Sequence, residues 1–244
     1  SGARAAKLDI AGFEETDVLT NETVFSLTEL PQRMVVIGGG PIGCELAQVF
    51  AQLGSQVTQL ERSDRILPRE EDDASALVSA SLQRDGVQIF TSTQIVGFSQ
   101  NGNTKTVSLK DQNGLREIDC DAVLSAVGRA PNVNGMGLEA AGIQYDAKKG
   151  ITVNDRLQTT NQHVYAAGDV ASRYQFTHAA DFMARVVIQN ALFLGRQKVS
   201  SLLIPWATYT SPEVAHVGMY PHEAESQNIR TDSYEVRFSD VDRS

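Results

Sequence analysis

Three glycines at fixed spacing, Gly38, Gly40 and Gly43, could hold a pyrophosphate group. In such a turn the first glycine permits a tight bend, the second lets the backbone approach the phosphates, and the third lets a helix pack closely against a sheet. Free backbone N–H groups and the positive end of the helix would then face the phosphate charge. The spacing is informative only between a strand and a helix, and both are predicted here.

An acidic residue completes this unit. Glu61 lies 18 residues after Gly43, at the end of the next predicted strand, where a carboxylate can accept hydrogen bonds from the hydroxyls of an adenosine ribose. A negative charge there repels a 2′-phosphate, which favours NAD over NADP. Arg62 and Arg65 could offset that repulsion if their loop turned inward, although arginines are usually solvated at the surface.

Other reactive side chains carry weaker signals. Glu45 lies two residues past Gly43, near the start of the predicted helix, where the helix dipole alone stabilises an acid by about 0.3–1 kcal/mol. Cys44 and Cys120 are expected to be buried small hydrophobes, since free cysteines often are. We predict no metal site, because no second ligand lies at metal-binding spacing from any of the four histidines, which are His163, His178, His216 and His222.

The elements that must position these residues follow from hydrophobic periodicity. The apolar run at 34–37 predicts a strand buried on both faces, and apolar side chains at helical spacing predict a helix over 42–53. A strand, a polar helix and another strand follow at 56–60, 71–84 and 87–90. This alternation with short connections predicts an α/β fold with a Rossmann-like, doubly wound parallel sheet.

Beyond residue 90 the pattern changes. Short alternating runs at 95–99, 106–110 and 115–118, separated by turns that contain Asn and Gly, predict a small antiparallel β-meander. Further strands are predicted at 122–127 and 164–167, and a long helix is predicted over 179–194. From residue 204 onward the pattern is β-like again.

Composition sets the outer limits. The chain has 244 residues, of which 41% are hydrophobic, and this suits one or two globular domains. A formal net charge of −9 argues against nucleic acid or an anionic membrane as a partner, because both attract clustered positive charge. No apolar run reaches the length of a membrane span and no signal-peptide pattern opens the chain. We therefore expect a cytoplasmic protein.

Three motifs, in this order, carry a resemblance to a known family: the glycine-rich stretch 38–45, Ala-Val-Gly-Arg-Ala-Pro-Asn at 126–132, and Val-Tyr-Ala-Ala-Gly-Asp-Val at 164–170. With them the sequence resembles the pyridine nucleotide-disulfide oxidoreductases, in particular the branch of dihydrolipoamide dehydrogenase and mercuric reductase. Residues 209–218 resemble the family's entry into its dimerisation domain. The resemblance implies the FAD/NAD(P)-binding fold and a homodimeric enzyme in which hydride passes from NAD(P)H to FAD.

The resemblance also implies roles for individual residues in NAD binding. Glu45 would lie near the nicotinamide, where hydride passes to flavin, and is the candidate catalytic residue. Ile95 would pack on the adenine side, and Val127 and Gly128 would contact the nucleotide through their backbone. The remaining residues expected at the NAD site, with Glu61 on the ribose, are Gly38, Gly39, Gly40, Pro41, Ile42, Gly43, Cys44 and Glu61.

A second set would bind the flavin of the complete parent protein. Asp169 would accept hydrogen bonds from the ribityl chain of FAD. The helix after His178 would direct its positive end at the flavin ring, which carries negative charge when reduced. The residues that would line the flavin are Gln175, Phe176, Thr177 and His178.

Two features of the family have no counterpart in this sequence: a first FAD-binding glycine motif, and a redox-active C-x-x-x-x-C pair. Cys44 and Cys120 are 76 residues apart. We therefore expect an internal piece of a longer flavoenzyme. In that hypothesis 1–27 ends a first FAD-domain segment, 28–150 is the NAD(P)-binding domain, 151–200 returns to the FAD domain, and 201–244 begins an α+β dimerisation domain.

Two other functions stay open. The chain could be a stand-alone NAD(H)-binding module without catalysis of its own. A dehydrogenase without flavin is disfavoured, because no Tyr-x-x-x-Lys or comparable acid–base pair accompanies the glycine motif. For the parent enzyme, the reaction partner is undetermined among dihydrolipoamide, Hg(II) and small disulfides.

Overall fold

The computed structural model describes residues 1–241 of the chain, and no helix in that range is long and apolar enough to cross a membrane. The helices are α1 (Pro41–Gln52), α2 (Asp72–Arg84), α3 (Thr177–Leu192) and α4 (Pro221–Ser226). The strands are β1 (Ala3–Ala5), β2 (Val18–Leu19), β3 (Arg33–Ile37), β4 (Gln56–Leu60), β5 (Gln88–Phe90), β6 (Gln94–Asn101), β7 (Thr104–Asp111), β8 (Gly114–Cys120), β9 (Ala122–Ser125), β10 (Arg129–Pro131), β11 (Tyr145–Asp146), β12 (Gly150–Ile151), β13 (Trp206–Thr208) and β14 (Val214–His216).

A parallel sheet in the order β2-β9-β3-β4-β5 forms the centre of the molecule. β3 pairs in parallel with β4 on one side and with β9 on the other. Residues 34–37 of β3 are all buried, as a continuous apolar run predicts for a strand covered on both faces. The predicted α/β fold with a parallel sheet is therefore confirmed.

The two faces of this sheet have different covers. Met34 and Val36 of β3 pack in one core cluster with α1 and α2. Val35 and Ile37 pack in a second cluster with the antiparallel meander β6-β7-β8 on the opposite face. Successive residues of a strand point to opposite faces, so one apolar run supplies both cores. The meander is also confirmed, with strands longer than the predicted runs.

Residues 1–27 join the same architecture. β2 pairs in parallel with β9 and forms the edge of the sheet, while β1 pairs antiparallel with β10. Phe13 packs edge-on against Phe98 of the meander, with ring centroids 5.6 Å apart. The segment 1–27, predicted to end a first FAD-domain segment, thus contributes a strand and a core side chain to the central sheet and its meander. A two-residue strand has no periodicity that could reveal this.

Of two strand predictions in the second half of the chain, one is wrong and the other is confirmed only in part. Residues 164–167 form only an isolated bridge between Gln158 and Tyr165. The β-like pattern predicted from residue 204 onward is confirmed by the antiparallel pair β13 and β14, after which the residues described contain α4 and no further strand. Short apolar runs do not by themselves distinguish a strand from an extended loop or a helix. We refer below to residues 206–216, which include β13 and β14, as the C-terminal hairpin.

Candidate functional site

The glycine-rich loop connects β3 to α1. Gly38 adopts φ +112°, and a Cβ there would lie 2.5 Å from the carbonyl oxygen of Ala126. A Cβ on Gly43 would lie 2.1 Å from the carbonyl oxygen of Gly38. Because close-packed atoms cannot approach to such distances, the fold itself requires glycine at both positions.

Gly40 differs from these two glycines, because a Cβ there would meet no atom within 4 Å. It is the N-cap of α1, with extended backbone and no side-chain hydrogen bond to the first turn. The first N–H groups of a helix have no partner within the helix. Pro41 has no N–H group, so the free N–H groups at the start of α1 are those of Ile42 and Gly43. Open space in front of such a helix end suits an anion such as phosphate.

Glu61 holds the loop from the end of β4. Its Oε2 accepts the N–H of Gly39 at 2.5 Å, and its Oε1 accepts the N–H of Ser63 at 2.6 Å. The carbonyl oxygen of Gly39 accepts the N–H of Leu67 at 2.6 Å. These bonds fix the carboxylate one residue from Gly40. A ribose and the adjoining pyrophosphate could therefore be bound together here.

Arg65 is turned toward its own loop. Its guanidinium forms an ion pair with Asp72 of α2 and donates to the carbonyl oxygens of Pro68 at 3.3 Å and Glu70 at 3.1 Å. Arg62, the other arginine near Glu61, is exposed. The loop thus keeps Arg65 engaged with neighbouring residues, while the Glu61 carboxylate is bonded directly to the glycine-rich loop.

The segment after β9 lies beside this loop. The N–H of Ala126 donates to the last carbonyl oxygen of β3 at 2.7 Å, which places Val127 and Gly128 next to Gly38. Val127 is 37% exposed, whereas Ile95 is 9% exposed and packs in the core between the sheet and the meander. Val127 and Gly128 thus join the candidate site. Ile95 lies inside the protein, and its position does not support a contact with adenine.

Cys44 lies beneath the loop with its side chain fully buried. Its Sγ donates to the carbonyl oxygen of Gly39 at 3.4 Å, and the buried Gln59 donates through Nε2 to the carbonyl oxygen of Gly38 at 3.0 Å. Burial raises the pKa of the Cys44 thiol to about 12 and that of Cys120 to about 11. Both cysteines are therefore buried thiols, as expected, and Cys44 supports the loop from the side away from the open space.

Glu45 lies in the second turn of α1, and its carboxylate contacts the C-terminal hairpin. Its Oε1 accepts the N–H of Tyr209 at 2.8 Å. Three residues later, Gln48 accepts the N–H of Ser211 at 2.8 Å and donates to the carbonyl oxygen of Ser211 at 3.0 Å. Ser81 of α2 donates to the same carbonyl oxygen at 2.5 Å. The residue expected near the nicotinamide therefore sits at the junction of α1 and the hairpin.

The residues expected to bind flavin form a second group, which starts directly after Gly128. Arg129 Nη1 lies 2.7 Å from Oδ2 of Asp169, and Arg129 Nη2 donates to the carbonyl oxygen of Ala3 at 3.1 Å. Asp169 is held in a short 3-10 turn over Gly168–Val170. The Arg129 pair thus fixes one oxygen of the carboxylate, and the other can accept a hydrogen bond from a hydroxyl group.

The expected flavin-lining residues 175–178 lie at the start of α3. This helix begins at Thr177, so Thr177 and His178 belong to its first turn and do not precede it. Phe176 is the N-cap and makes no side-chain hydrogen bond to that turn. Nε2 of His178 lies 2.7 Å from the carbonyl oxygen of Pro205, just before the C-terminal hairpin. The hairpin therefore contacts both groups of candidate residues.

A cavity of about 490 Å³ opens between the start of α3 and this hairpin. Aromatic rings dominate its lining, and Tyr209, whose N–H binds Glu45, is one of them. Phe176 stacks near Trp206 with ring centroids 6.3 Å apart, and Trp206 contacts His216 at 4.5 Å. Such a cavity suits a planar ring, because aromatic faces stack.

Several residues at these contacts were not found from the sequence. Gln48 and Trp206 have no distinctive spacing, and Arg129 lies in the motif at 126–132 without a role predicted for its side chain. Glu70 stands in a charged run with Glu71 and two aspartates. Such a run is usually a solvated surface. Only the pairing of distant segments gives these side chains a role. Among residues 1–241 no group of three or more His, Cys, Asp or Glu side chains is placed to hold a metal ion.

The chain is similar to several curated proteins that are about twice as long as the part it matches. It is 35% identical to a mercuric reductase of Staphylococcus aureus over 98% of this chain and 43% of that protein. It is 38% identical to a dihydrolipoyl dehydrogenase of Bacillus subtilis over 93% of this chain and 48% of that protein. The chain thus spans just under half the length of these relatives.

Solved structures agree with this relationship. The Cu(II) complex of the HOCl-induced flavoprotein disulfide reductase RclA from Escherichia coli matches with a TM-score of 0.84 and 31% identity, over 93% of this chain and 52% of that one. Residues 1–184 match the family described as pyridine nucleotide-disulphide oxidoreductase. The glycine-rich loop, the segment after β9 and the turn with Asp169 all lie within that match. The chain belongs to the pyridine nucleotide-disulphide oxidoreductase family.

Proposed function

We propose that this chain binds NADH at the loop between β3 and α1 and is the nucleotide-binding part of a flavin-dependent disulfide oxidoreductase. The observation that carries the proposal is the open space at Gly40, where a Cβ would meet no atom within 4 Å, in front of the N-terminus of α1. A pyrophosphate requires such space and such a helix end. At positions 38 and 43, by contrast, close backbone contacts already account for the need for glycine.

NAD is the expected dinucleotide, and NADP the less favoured one. The Glu61 carboxylate is fixed by the N–H groups of Gly39 and Ser63, so a 2′-phosphate would approach a negative charge that cannot readily move away. Arg65 would have to break its ion pair with Asp72 before it could neutralise that phosphate. Repulsion by a fixed charge and the engagement of the nearest arginine both support NAD.

The nicotinamide end of the dinucleotide is expected toward Glu45 and the C-terminal hairpin. A reduced nicotinamide supplies a hydride when the dinucleotide is bound. The chain's own part would be to bind the two phosphates at α1, orient the ring beside Glu45, and exclude water with the aromatic side chains of the hairpin. The bond from the N–H of Tyr209 to Glu45, 2.8 Å long, keeps the hairpin close to that end of the site.

FAD is proposed for the complete parent protein, which would be a homodimer with the domain boundaries expected from the sequence. Asp169, fixed by Arg129, and the first turn of α3 fit the ribityl chain and the ring of a flavin. The relatives named mercuric reductase and dihydrolipoyl dehydrogenase support Hg(II) or a disulfide as the acceptor.

Titration of the purified chain with NADH tests the proposal. Trp206 is the one tryptophan in the sequence, so excitation of Trp206 followed by emission from bound NADH reports binding within the same fold. We expect measurable NADH binding, weak or no retention of FAD, and no turnover of disulfide or Hg(II) by this chain alone. Lack of NADH binding by the folded chain would refute the proposal. A start codon directly upstream of residue 1 in the gene, together with NADH binding by the chain, would favour the alternative of a stand-alone NAD(H)-binding module.

A further inference from the structure

Glu70 is a carboxylate buried between distant parts of the chain. Only 7% of the residue is exposed, although it stands in a charged run between β4 and α2. Its Oε1 accepts the N–H of Trp206 Nε1 at 3.0 Å, and its Oε2 accepts the hydroxyl proton of Tyr220 at 2.6 Å. Both donors lie at least 136 residues later in the chain. One side chain therefore fastens the region after residue 204 to the nucleotide-binding sheet.

The chemistry of this contact makes it hard to replace. A buried carboxylate needs hydrogen-bond donors, because leaving it unpaired costs more than the bond itself contributes. Bonds to an ionised acceptor are also stronger than neutral ones. Burial and the bond to Glu70 raise the pKa of Tyr220 well above its usual value. Tyr220 therefore keeps the proton that it donates to Glu70 at every pH at which the protein would be used.

The same hairpin is held at a second point by α1. Trp206 is the first residue of β13, and Tyr209 follows that strand directly. The N–H of Tyr209 donates to Glu45 at 2.8 Å, and Gln48 makes two hydrogen bonds to Ser211. Glu70 and Glu45 thus hold opposite ends of the short strand β13. Because Trp206 and Tyr209 are only three residues apart, a displacement of Trp206 should also displace the Tyr209 N–H.

Loop 61–70 also reaches the glycine-rich loop from its other end. Glu61 accepts the N–H of Gly39, and the N–H of Leu67 donates to the carbonyl oxygen of the same glycine. The N–H of Glu70 donates to the carbonyl oxygen of Leu67 at 2.9 Å. One loop therefore touches the expected ribose and pyrophosphate positions at its start and carries the hairpin at its end.

From these contacts we infer that Glu70 is a positioning residue for the nicotinamide half of the dinucleotide site, acting through Trp206 and Tyr220 on the C-terminal hairpin. This inference rests on the proposed NADH binding. The side-chain hydrogen bonds of Glu70 go to Trp206 and Tyr220, so its influence is expected at the end of the site next to the hairpin. The adenosine half, at Glu61 and the glycine-rich loop, keeps its own contacts without Glu70.

The substitution Glu70→Gln tests the inference, because it keeps the shape of the side chain but replaces one acceptor oxygen with an NH₂ group facing a donor. Calorimetry on the whole 244-residue chain would measure the affinity for NADH and for ADP-ribose, which lacks the nicotinamide. If the hairpin is then correctly placed in a tenth of the molecules, the Kd for NADH rises about tenfold. The Kd for ADP-ribose should stay within about twofold, since only the hairpin population changes.

Two further variants control the experiment. Glu71→Gln makes the same change at the next residue, whose side chain is half exposed and lies 3.8 Å from His222, and it should leave both affinities unchanged. Tyr220→Phe removes the hydroxyl donor and keeps the ring, and it should weaken NADH binding in the same selective way. A red shift of Trp206 emission in Glu70→Gln would report the loss of the indole contact independently of any ligand.

The outcomes separate the two claims. Selective weakening of NADH binding in Glu70→Gln and Tyr220→Phe supports the inference. Equal weakening of NADH and ADP-ribose, or unchanged affinity in folded Glu70→Gln, would overturn it and leave the proposed function in place. Failure of the unaltered chain to bind NADH would overturn both. A thermal melt of each variant shows that the compared proteins are folded.

Discussion

Replacing Gly40 and Gly43 one at a time by alanine should separate the requirements of the fold from those of the ligand. The Gly43 Cβ would lie 2.1 Å from the Gly38 carbonyl oxygen, so the helix and the loop must move apart by about 1 Å to restore contact. Overpacking of this kind costs about 1–3 kcal/mol. At about 2 kcal/mol, the melting temperature of a chain of this size falls by about 4–8 °C.

Gly40→Ala should behave in the opposite way. Gly40 has φ −76°, which alanine adopts freely, and its Cβ would meet no atom within 4 Å. Stability should change by less than about 1 kcal/mol, because the restriction that alanine places on the unfolded chain is offset by its weaker preference for the N-cap position. The new methyl group would fill the space proposed for the pyrophosphate. NADH affinity should fall at least about tenfold, which corresponds to about 1.4 kcal/mol.

Thermal unfolding and NADH titration, both made on the same preparation of each variant, measure these effects. The reasoning holds if stability falls clearly in Gly43→Ala and if NADH affinity falls in Gly40→Ala without a comparable loss of stability. A Gly40→Ala variant that binds NADH as tightly as the original chain would show that the pyrophosphate lies elsewhere. A Gly43→Ala variant of unchanged stability would show that the loop and α1 can separate at no cost.

Further outcomes follow from the contacts around this loop and from the two buried cysteines. Glu61→Gln should weaken NADH binding, because the ribose loses a charged hydrogen-bond acceptor. It should also narrow the preference for NADH over NADPH, which parallel titrations with the two dinucleotides measure. Asp72→Asn should raise NADPH affinity relative to NADH by a few-fold, because it frees Arg65 from its ion pair; an unchanged ratio would contradict that assignment. Burial raises the pKa of the thiols of Cys44 to about 12 and of Cys120 to about 11, so the native chain should resist thiol reagents at pH 8. These pKa values in the folded chain exceed those in the unfolded chain, so the two thiols add stability below pH 9 that is lost as pH rises through about 9–12. Urea unfolding at a series of pH values would measure this loss. In Cys44→Ala the free energy of unfolding should decline less steeply over the same pH range.

Much of the nucleotide-binding half could be predicted from the sequence, because its signals are local. The run at 34–37, the helical spacing that follows and the glycine pattern each depend on neighbouring residues. The structure confirms α1, α2 and the strands around them within a few residues. The strand prediction at 164–167 is wrong, because a short apolar run becomes a strand only where a partner strand is available.

The contacts of the individual side chains depended on the tertiary structure. Sequence alone determined that Gly38, Gly40 and Gly43 mark the junction of a strand and a helix, since spacing along the chain fixes local backbone geometry. It could not distinguish the glycines that the fold requires from Gly40, because that difference depends on which atoms of distant segments approach each position. Glu70 shows the same limit: its sequence neighbours are charged and solvated, and only the return of the chain at Trp206 and Tyr220 buries it and supplies its donors.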